Sequence, residues 1–551
     1  MSRTSTAAPV TLDEEGSLTL DAIEAVAHGR CMVALSPSAK ERVDAFRKRA
    51  EDEIKSNQDK RVYGLNTGFG SNFKDYVSPD DLKLLQRNLI LSHCAGVGPA
   101  APKHVVRATM LLRAASLARG HSAVRSSVVT ALIELLNKDI VPVVPRYGSV
   151  SASGDLAPLS HIAAVLIGEG RVLVPEAARA AMKSDTASTK DYLRHATQHD
   201  LATFAPIELE MKEGLALNNG CQYSNAWGAL SAVMMARLME AAALSTALSV
   251  QAMRGMGRPF REDLHKLRAH AGSMNVARWV FDLLEGYQFQ DVTTDAKFAF
   301  DGRIQDPYNL RCAAQVLGPC LDLVERAEAT MTIEARSVTD NPIDLNMAVD
   351  ASYSLDEITS GGHFHGMPLA VDAFGLLQAA GIMARLSNMR CARVVDDKRN
   401  KDLGPQVRGA NPKAIESGMM IAEYTGAGLC NHIWGLAMPS HLMSISTDSG
   451  QEDHVSMAAN VAMRAYEAAE RLAEVLAIEM AFAAQAEDVR EAGEPKPVTL
   501  GKRTRLALDK IRETFPALDG DRELSWDVMA LAKKVLSGEI VNATGYRFPR
   551  H

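Results

Sequence analysis

The chain has 551 residues, 47% hydrophobic and 23% charged, the balance of an ordinary soluble globular protein. A net charge of −7 is modest for this length and offers no basic surface, so nucleic acid is not an expected partner. Seven scattered cysteines, an odd number with no Cys-x-x-Cys pair, argue against a disulfide framework and fit a reducing, cytoplasmic setting.

In chain order, residues 1 to about 15 read as a disordered tail without the apolar core of a signal peptide. Asp21–Val26 is a short helix. Ser36 and Pro37 form an N-cap and first-turn proline that open a helix to about Ile54. Tyr63-Gly64-Leu65-Asn66-Thr67-Gly68-Phe69-Gly70 is a loop, with three glycines, an Asn and a Thr. Ser78-Pro79-Asp80-Asp81 starts the next helix, which closes through Ser92-His93-Cys94-Ala95-Gly96. Helices are expected next at about 103–119 and 123–137. An extended 141–145 leads into a loop of small residues around Ala152-Ser153-Gly154, and 155–167 returns to helix. From 170 to 205 the pattern weakens and suggests a surface excursion. Beyond Pro206 long Ala/Leu/Met helices are expected at 221–253, 261–285, 308–337, 367–394, 412–436 and 452–486, with two amphipathic helices after Thr499. The most apolar run, 228–250, contains Arg237 and Glu240, so it reads as a buried core helix rather than a membrane span. The expected class is mainly α: an α-rich N-terminal domain, 1–205, and a long-helix bundle, 206–551.

Polar knots interrupt these helices. Ala152-Ser153-Gly154 can react with itself, because Gly154 lacks a Cβ and its nitrogen can approach the Ala152 carbonyl. Loss of two waters would give an imidazolone ring with an exocyclic alkene. Tyr63 is a base candidate only where neighbours lower its pKa; otherwise it is a packed ring. His93 suits the last turn of a helix, or a pocket. Asn218-Asn219-Gly220-Cys221 reads as a turn whose amide could orient a carboxylate or an amine. In Gln305-Asp306-Pro307-Tyr308-Asn309-Leu310-Arg311, Tyr308 and Arg311 share a helical face, and the arginine can fork a carboxylate or make a structural ion pair. His363-Phe364-His365 has no further ligand at metal spacing, so no metal is expected. Gln451-Glu452-Asp453-His454 fits a helix start, or a carboxylate at a pocket mouth.

In this order, the motifs resemble the ammonia-lyase and aminomutase family that carries a self-made methylidene-imidazolone (MIO) group. The resemblance runs from about Leu20 to at least Leu476, and also rests on Leu217-Asn218-Asn219-Gly220, Asp340-Asn341-Pro342 and Gly361-Gly362-His363-Phe364-His365. It implies a homotetramer with sites assembled from several chains, an amino acid substrate, no membrane, and no cofactor beyond the MIO made from Ala152, Ser153 and Gly154. It further implies that Tyr63 takes the β-proton and Arg311 grips the carboxylate. Asn219, Gln305, Tyr308 and Phe364 would line the site. Ser92-His93 and Glu452 resemble the histidine branch, where the glutamate accepts from a ring N–H, and imply L-histidine going to trans-urocanate. The alternatives are a 2,3-aminomutase or a tyrosine or phenylalanine lyase. Departures from the pattern are His363, Cys221, Asp448-Ser449-Gly450 and the 401–409 segment.

Overall fold

The computed structural model describes residues 8–13, 18–57, 61–68, 77–78, 81–291, 305–345, 357–400, 403–493 and 498–550. Phe69-Gly70, Pro79-Asp80 and Lys401-Asp402 lie outside the described residues. Helix dominates, and the described strands form four two-stranded sheets. The chain divides into two compact units interleaved in sequence. The first is Met1–Val233, Glu328–Ala373 and Pro439–Met463; the second is Met234–Ala327, Phe374–Met438 and Arg464–His551.

In the first unit, Ser36 caps the helix Pro37–Ser56 by accepting from Ala39 N at 3.1 Å, as the Ser-Pro pair predicts. The expected disordered tail is ordered at Val10–Leu12, which pairs in parallel with Val33–Leu35. The helix Lys103–Ala118 is buried along nearly its whole length, packed on Leu20–Ala27 and Ser126–Asn137. Each fully buried Leu or Val there contributes about 1.5–3 kcal/mol. Leu156–Leu166 packs against Leu82–His93 and Glu213–Asn218, which brings the Ala-Ser-Gly loop beside Gly220. The 170–205 stretch is a hairpin, Arg171–Leu173 with Thr186–Ser188, and the helices Glu176–Met182 and Thr189–Gln198.

The second unit holds Met420–Leu436, most of Met367–Val395 and most of Ala458–Gly493. Its interior carries charge in matched pairs: Arg390 forks Glu479, which also accepts from Ser249 Oγ at 2.6 Å, and Arg254 meets Glu487 at 2.8 Å. The expected 261–285 helix is two, Glu262–Lys266 and Ala271–Leu283, and three short helices come after Thr499 rather than two. The helices Gln222–Ala252 and Met367–Val395 have the length and composition to cross a membrane, yet most of the apolar window of each is buried in the protein.

Candidate active site

Residues 150–155 are clamped on both flanks. Val150 O accepts from Met457 N at 2.9 Å and Ser151 O from Ser456 Oγ at 2.9 Å, while Ala152 packs on Val455 and Met457. On the other side, Asp155 N donates to Gly220 O at 2.7 Å. Gly154 has φ +88°, and a Cβ on it would lie 2.3 Å from Gly220 N and O. Only glycine fits here, a constraint set by Gly220 and separate from the approach to the Ala152 carbonyl read from the sequence. The Ser153 carbonyl accepts from Asn219 Nδ2 at 2.9 Å and Gly220 N at 3.4 Å.

Asp155 anchors the loop from its buried side. Its Oδ1 accepts from the hydroxyls of Ser149, Ser151 and Ser224 at 2.7, 2.9 and 2.7 Å, and its Oδ2 from Ser224 N at 2.7 Å. Burial pushes this carboxyl above the usual range, and those four donors pull it back. Arg113, fully buried, donates to the Asn219 carbonyl, which fixes the Asn219–Gly220 peptide; burial lowers its pKa to about 10.

A cavity of about 680 Å³ opens over Ser153. Tyr63, Ala152, Asn219, Phe364 and Glu452 line it, together with Asn341, Ser360, Gly361, His365, Asp448, Gln451, Asp453 and His454. Tyr63 is half-buried on a tight turn closed by Val62 N donating to Asn66 Oδ1 at 2.8 Å. The turn needs Gly64, at φ +77°, where a Cβ would meet Leu215 and Pro342 at 2.8 and 2.9 Å. Asn219 Oδ1 is buried without a hydrogen-bond partner among the described residues, an acceptor suited to an amine N–H. Cys221 Sγ donates to Phe364 O at 2.7 Å, tying the aromatic wall to the start of the long helix Gln222–Ala252; burial raises that thiol well above its ordinary range. His365 accepts from Met367 N at 3.3 Å through Nδ1 and donates to His454 O at 2.9 Å through Nε2, so both ring nitrogens are engaged.

Glu452 is not at a helix start. The long helix begins at Ala458, and Glu452 sits in a loop with its carboxylate 2.6 Å from the Ser153 hydroxyl. The two positions, 299 apart in sequence, are brought together by the fold alone. Its other oxygen accepts from Thr447 Oγ1 at 2.6 Å.

Five expected site residues are not in this lining: Gly154, which lies against Gly220, and His93, Gln305, Tyr308 and Arg311. His93 ends the helix Leu82–His93, earlier than the expected close at Gly96, and its Nδ1 donates to Leu89 O at 2.8 Å. Gln305, Tyr308 and Arg311 belong to the second unit. Pro307, not Asp306, precedes the four-residue helix Tyr308–Arg311, and Asp306 is instead a buried acceptor for Met256 N at 2.6 Å. Arg311 lies over the Tyr308 ring at 4.6 Å and donates to Asp306 O at 2.8 Å, a stack rather than an ion pair. Tyr308 is 71% exposed and lines a separate apolar cavity of about 970 Å³ with Arg385, Met389 and Trp434. Asn341, which the sequence offers only as part of a motif, lines the cavity, its side-chain oxygen accepting from Gly361 N at 2.7 Å; Thr447, outside the lining but bonded to Glu452, is not named by the sequence reading. The Asp-Asn-Pro motif is a signal for Asn341; Thr447 leaves none beyond its nearness to Glu452.

The aromatic amino acid lyase family model matches residues 18–513. The chain is 37% identical to the histidine ammonia-lyase of Burkholderia mallei over 94% of this chain and 96% of that protein. Among solved structures, the histidine ammonia-lyase from Trypanosoma cruzi superposes with TM-score 0.83 at 30% identity, covering 98% and 95% of the two chains. Tyrosine aminomutase from Streptomyces globisporus gives 0.86 at 28% identity, covering 98% of each. The family match and these relatives make the chain a carbon–nitrogen lyase. The chain belongs to the aromatic amino acid lyase family, whose members in general depend on MIO.

Proposed function

We propose that this enzyme eliminates ammonia from L-histidine to give trans-urocanate, using an MIO group made from Ala152, Ser153 and Gly154. One observation carries the reading: Glu452, the acceptor a ring N–H requires, lies 2.6 Å from the hydroxyl of Ser153 and shares its cavity. The loop suits the ring: Gly154 has no room for a Cβ, the Ser153 carbonyl already has two donors, and its hydroxyl projects to the cavity where it can leave as water. Once formed, the group supplies an electrophilic alkene that makes the substrate nitrogen a better leaving group.

The remaining work falls to side chains. Tyr63 takes the proton from the substrate β-carbon. Asn219 receives the amine through its unpartnered Oδ1. Phe364 packs against the substrate, and Glu452 accepts from the imidazole N–H, with His93 contributing to ring binding. Arg311 forks the carboxylate, assisted by Gln305 and Tyr308. In this reading a neighbouring copy brings these last three, in a homotetramer with shared sites. Exposed apolar side chains on Met420–Leu436, Ile421, Tyr424 and Trp434, support self-association. Seven free cysteines suit a cytoplasmic location.

A second reading is a 2,3-aminomutase, favoured by the likeness to tyrosine aminomutase. Incubation with L-histidine, L-tyrosine and L-phenylalanine separately, with arylacrylate absorbance, ammonia and β-amino acid measured in each, tests both. Urocanate and ammonia from histidine alone are expected. Stoichiometric β-amino acid with little ammonia would replace the lyase by the mutase, and no histidine turnover would remove the substrate assignment.

A further inference from the structure

The carboxylate of Glu452 is held at both oxygens. Oε1 accepts from Ser153 Oγ at 2.6 Å, and Oε2 accepts from Thr447 Oγ1 at 2.6 Å. The backbones of Thr447 and Glu452 are joined twice: Thr447 N donates to Glu452 O at 3.0 Å, and Glu452 N to Thr447 O at 3.3 Å. Between them Asp448, Ser449 and Gly450 take φ +46°, +55° and +90°. Left-handed backbone at two successive non-glycine residues is disfavoured by local sterics, and it persists where surrounding bonds over-determine it. The Thr447–Glu452 bridge is such a set of bonds. It uses a strained turn to fix where one carboxylate points.

Ring closure treats the two oxygens differently. In the proposed reaction, on which this inference rests, the Ser153 hydroxyl departs as water. Oε1 then loses its donor and stays at the cavity wall as an acceptor. Oε2 keeps Thr447, so the carboxylate cannot rotate freely to satisfy itself elsewhere. We infer that Thr447 is a positioning residue that sets ring specificity: by occupying Oε2 it presents Oε1 to the cavity as an acceptor that a ring N–H satisfies and a phenyl ring leaves unpaired. An unsatisfied acceptor of this kind penalises the carbocyclic substrate, so the discrimination comes from rejection as much as from attraction.

The test uses the full chain carrying Thr447→Val, which keeps shape and removes the donor, and Thr447→Ser, which keeps the donor. Steady-state kinetics with L-histidine and L-phenylalanine are read with intact mass. In Thr447→Val the KM for histidine should rise about tenfold with kcat less affected, and the histidine-to-phenylalanine ratio of kcat/KM should fall about tenfold, the worth of one charge-assisted hydrogen bond. Thr447→Ser should return the ratio to near wild type, and all three proteins should be short by two waters. An unchanged ratio in Thr447→Val, no recovery in Thr447→Ser, or a mass lacking the water loss would overturn the inference. Calorimetric titration of urocanate onto each protein reads ring recognition without turnover, with the same order of affinity expected. Wild-type binding of urocanate without histidine turnover would sink the proposed reaction, while the affinity order would still decide for or against Thr447.

Discussion

Substituting Gly154→Ala puts one methyl group where the structure has no space. The added Cβ would sit 2.3 Å from both the N and O of Gly220 and 2.5 Å from its carbonyl carbon. These are backbone atoms, so no side chain can swing away; one strand of the Gly154–Gly220 bridge must move. The left-handed φ of +88° adds about 1–2 kcal/mol for an alanine. Moving the bridge loosens Asp155 N to Gly220 O, 2.7 Å, and Gly220 N to Ser153 O, 3.4 Å, at about 1 kcal/mol each, with a further 1–3 kcal/mol, roughly, if the buried Gly220 carbonyl is left without a donor. The sum, about 4–7 kcal/mol, is comparable with the whole stability of many domains. The expected result is a destabilised protein that retains both waters. Thermal unfolding and intact mass are read against Ser153→Ala, which should fold normally, keep its unmodified mass and show no turnover. Gly154→Ala with wild-type stability and a mass short by two waters would refute the steric reasoning, since the loop would then have slack that the geometry denies.

Three other perturbations test separate parts of the structure. Glu452→Gln keeps the shape but removes the charge facing the ring, and should lower kcat/KM for histidine by about ten- to a hundredfold, from the roughly 1.5–3 kcal/mol of a charged hydrogen bond; an effect under twofold would return Glu452 to a structural role. Asp340→Asn leaves Lys212, paired at 2.7 Å with both side chains buried, without its counter-ion. A loss of about 3–5 kcal/mol in chemical denaturation is expected, and a loss below about 1 kcal/mol would show that the site relaxes or admits water. Burial, and then the neighbouring His28, hold His104 down at about 4. Its neutral form is the one the fold accepts, so its contribution is intact above the unfolded value near 6.5 and is lost as pH falls from there towards 4. That amounts to on the order of 3 kcal/mol at most, and His104→Gln should flatten the stability profile in that window; an unchanged profile would assign acid sensitivity elsewhere.

Local chemistry is legible in the chain. Ser36-Pro37 encodes its own cap, and the 3.6-residue period of Ala, Leu and Met marks the long helices, because both depend on neighbours within a turn. Helix ends are less legible: the 261–285 stretch breaks at the exposed residues 267–270, and the 308–337 stretch at Cys312. Acid-rich helix beginnings are common, which points to a helix start at Glu452, yet the helix begins at Ala458. The dipole argument considers only the next turn, whereas the position of Glu452 is set by Thr447 behind it and Ser153 across the cavity.

The sequence by itself determined the Ala-Ser-Gly loop of small residues, the ordered motifs of the family and the mainly α architecture, since these reside in residue identity and short-range spacing. Tertiary structure decided what the triplet faces. It placed Gly220 so close to Gly154 that only glycine fits, set Asn219 on the Ser153 carbonyl, and brought Glu452 to the Ser153 hydroxyl across 299 residues. Tyr308 and Arg311 fall in the second unit, where Tyr308 lines a cavity of its own. Contacts between residues so far apart depend on how many helices pack at once, a sum over the whole core that no local window of sequence contains.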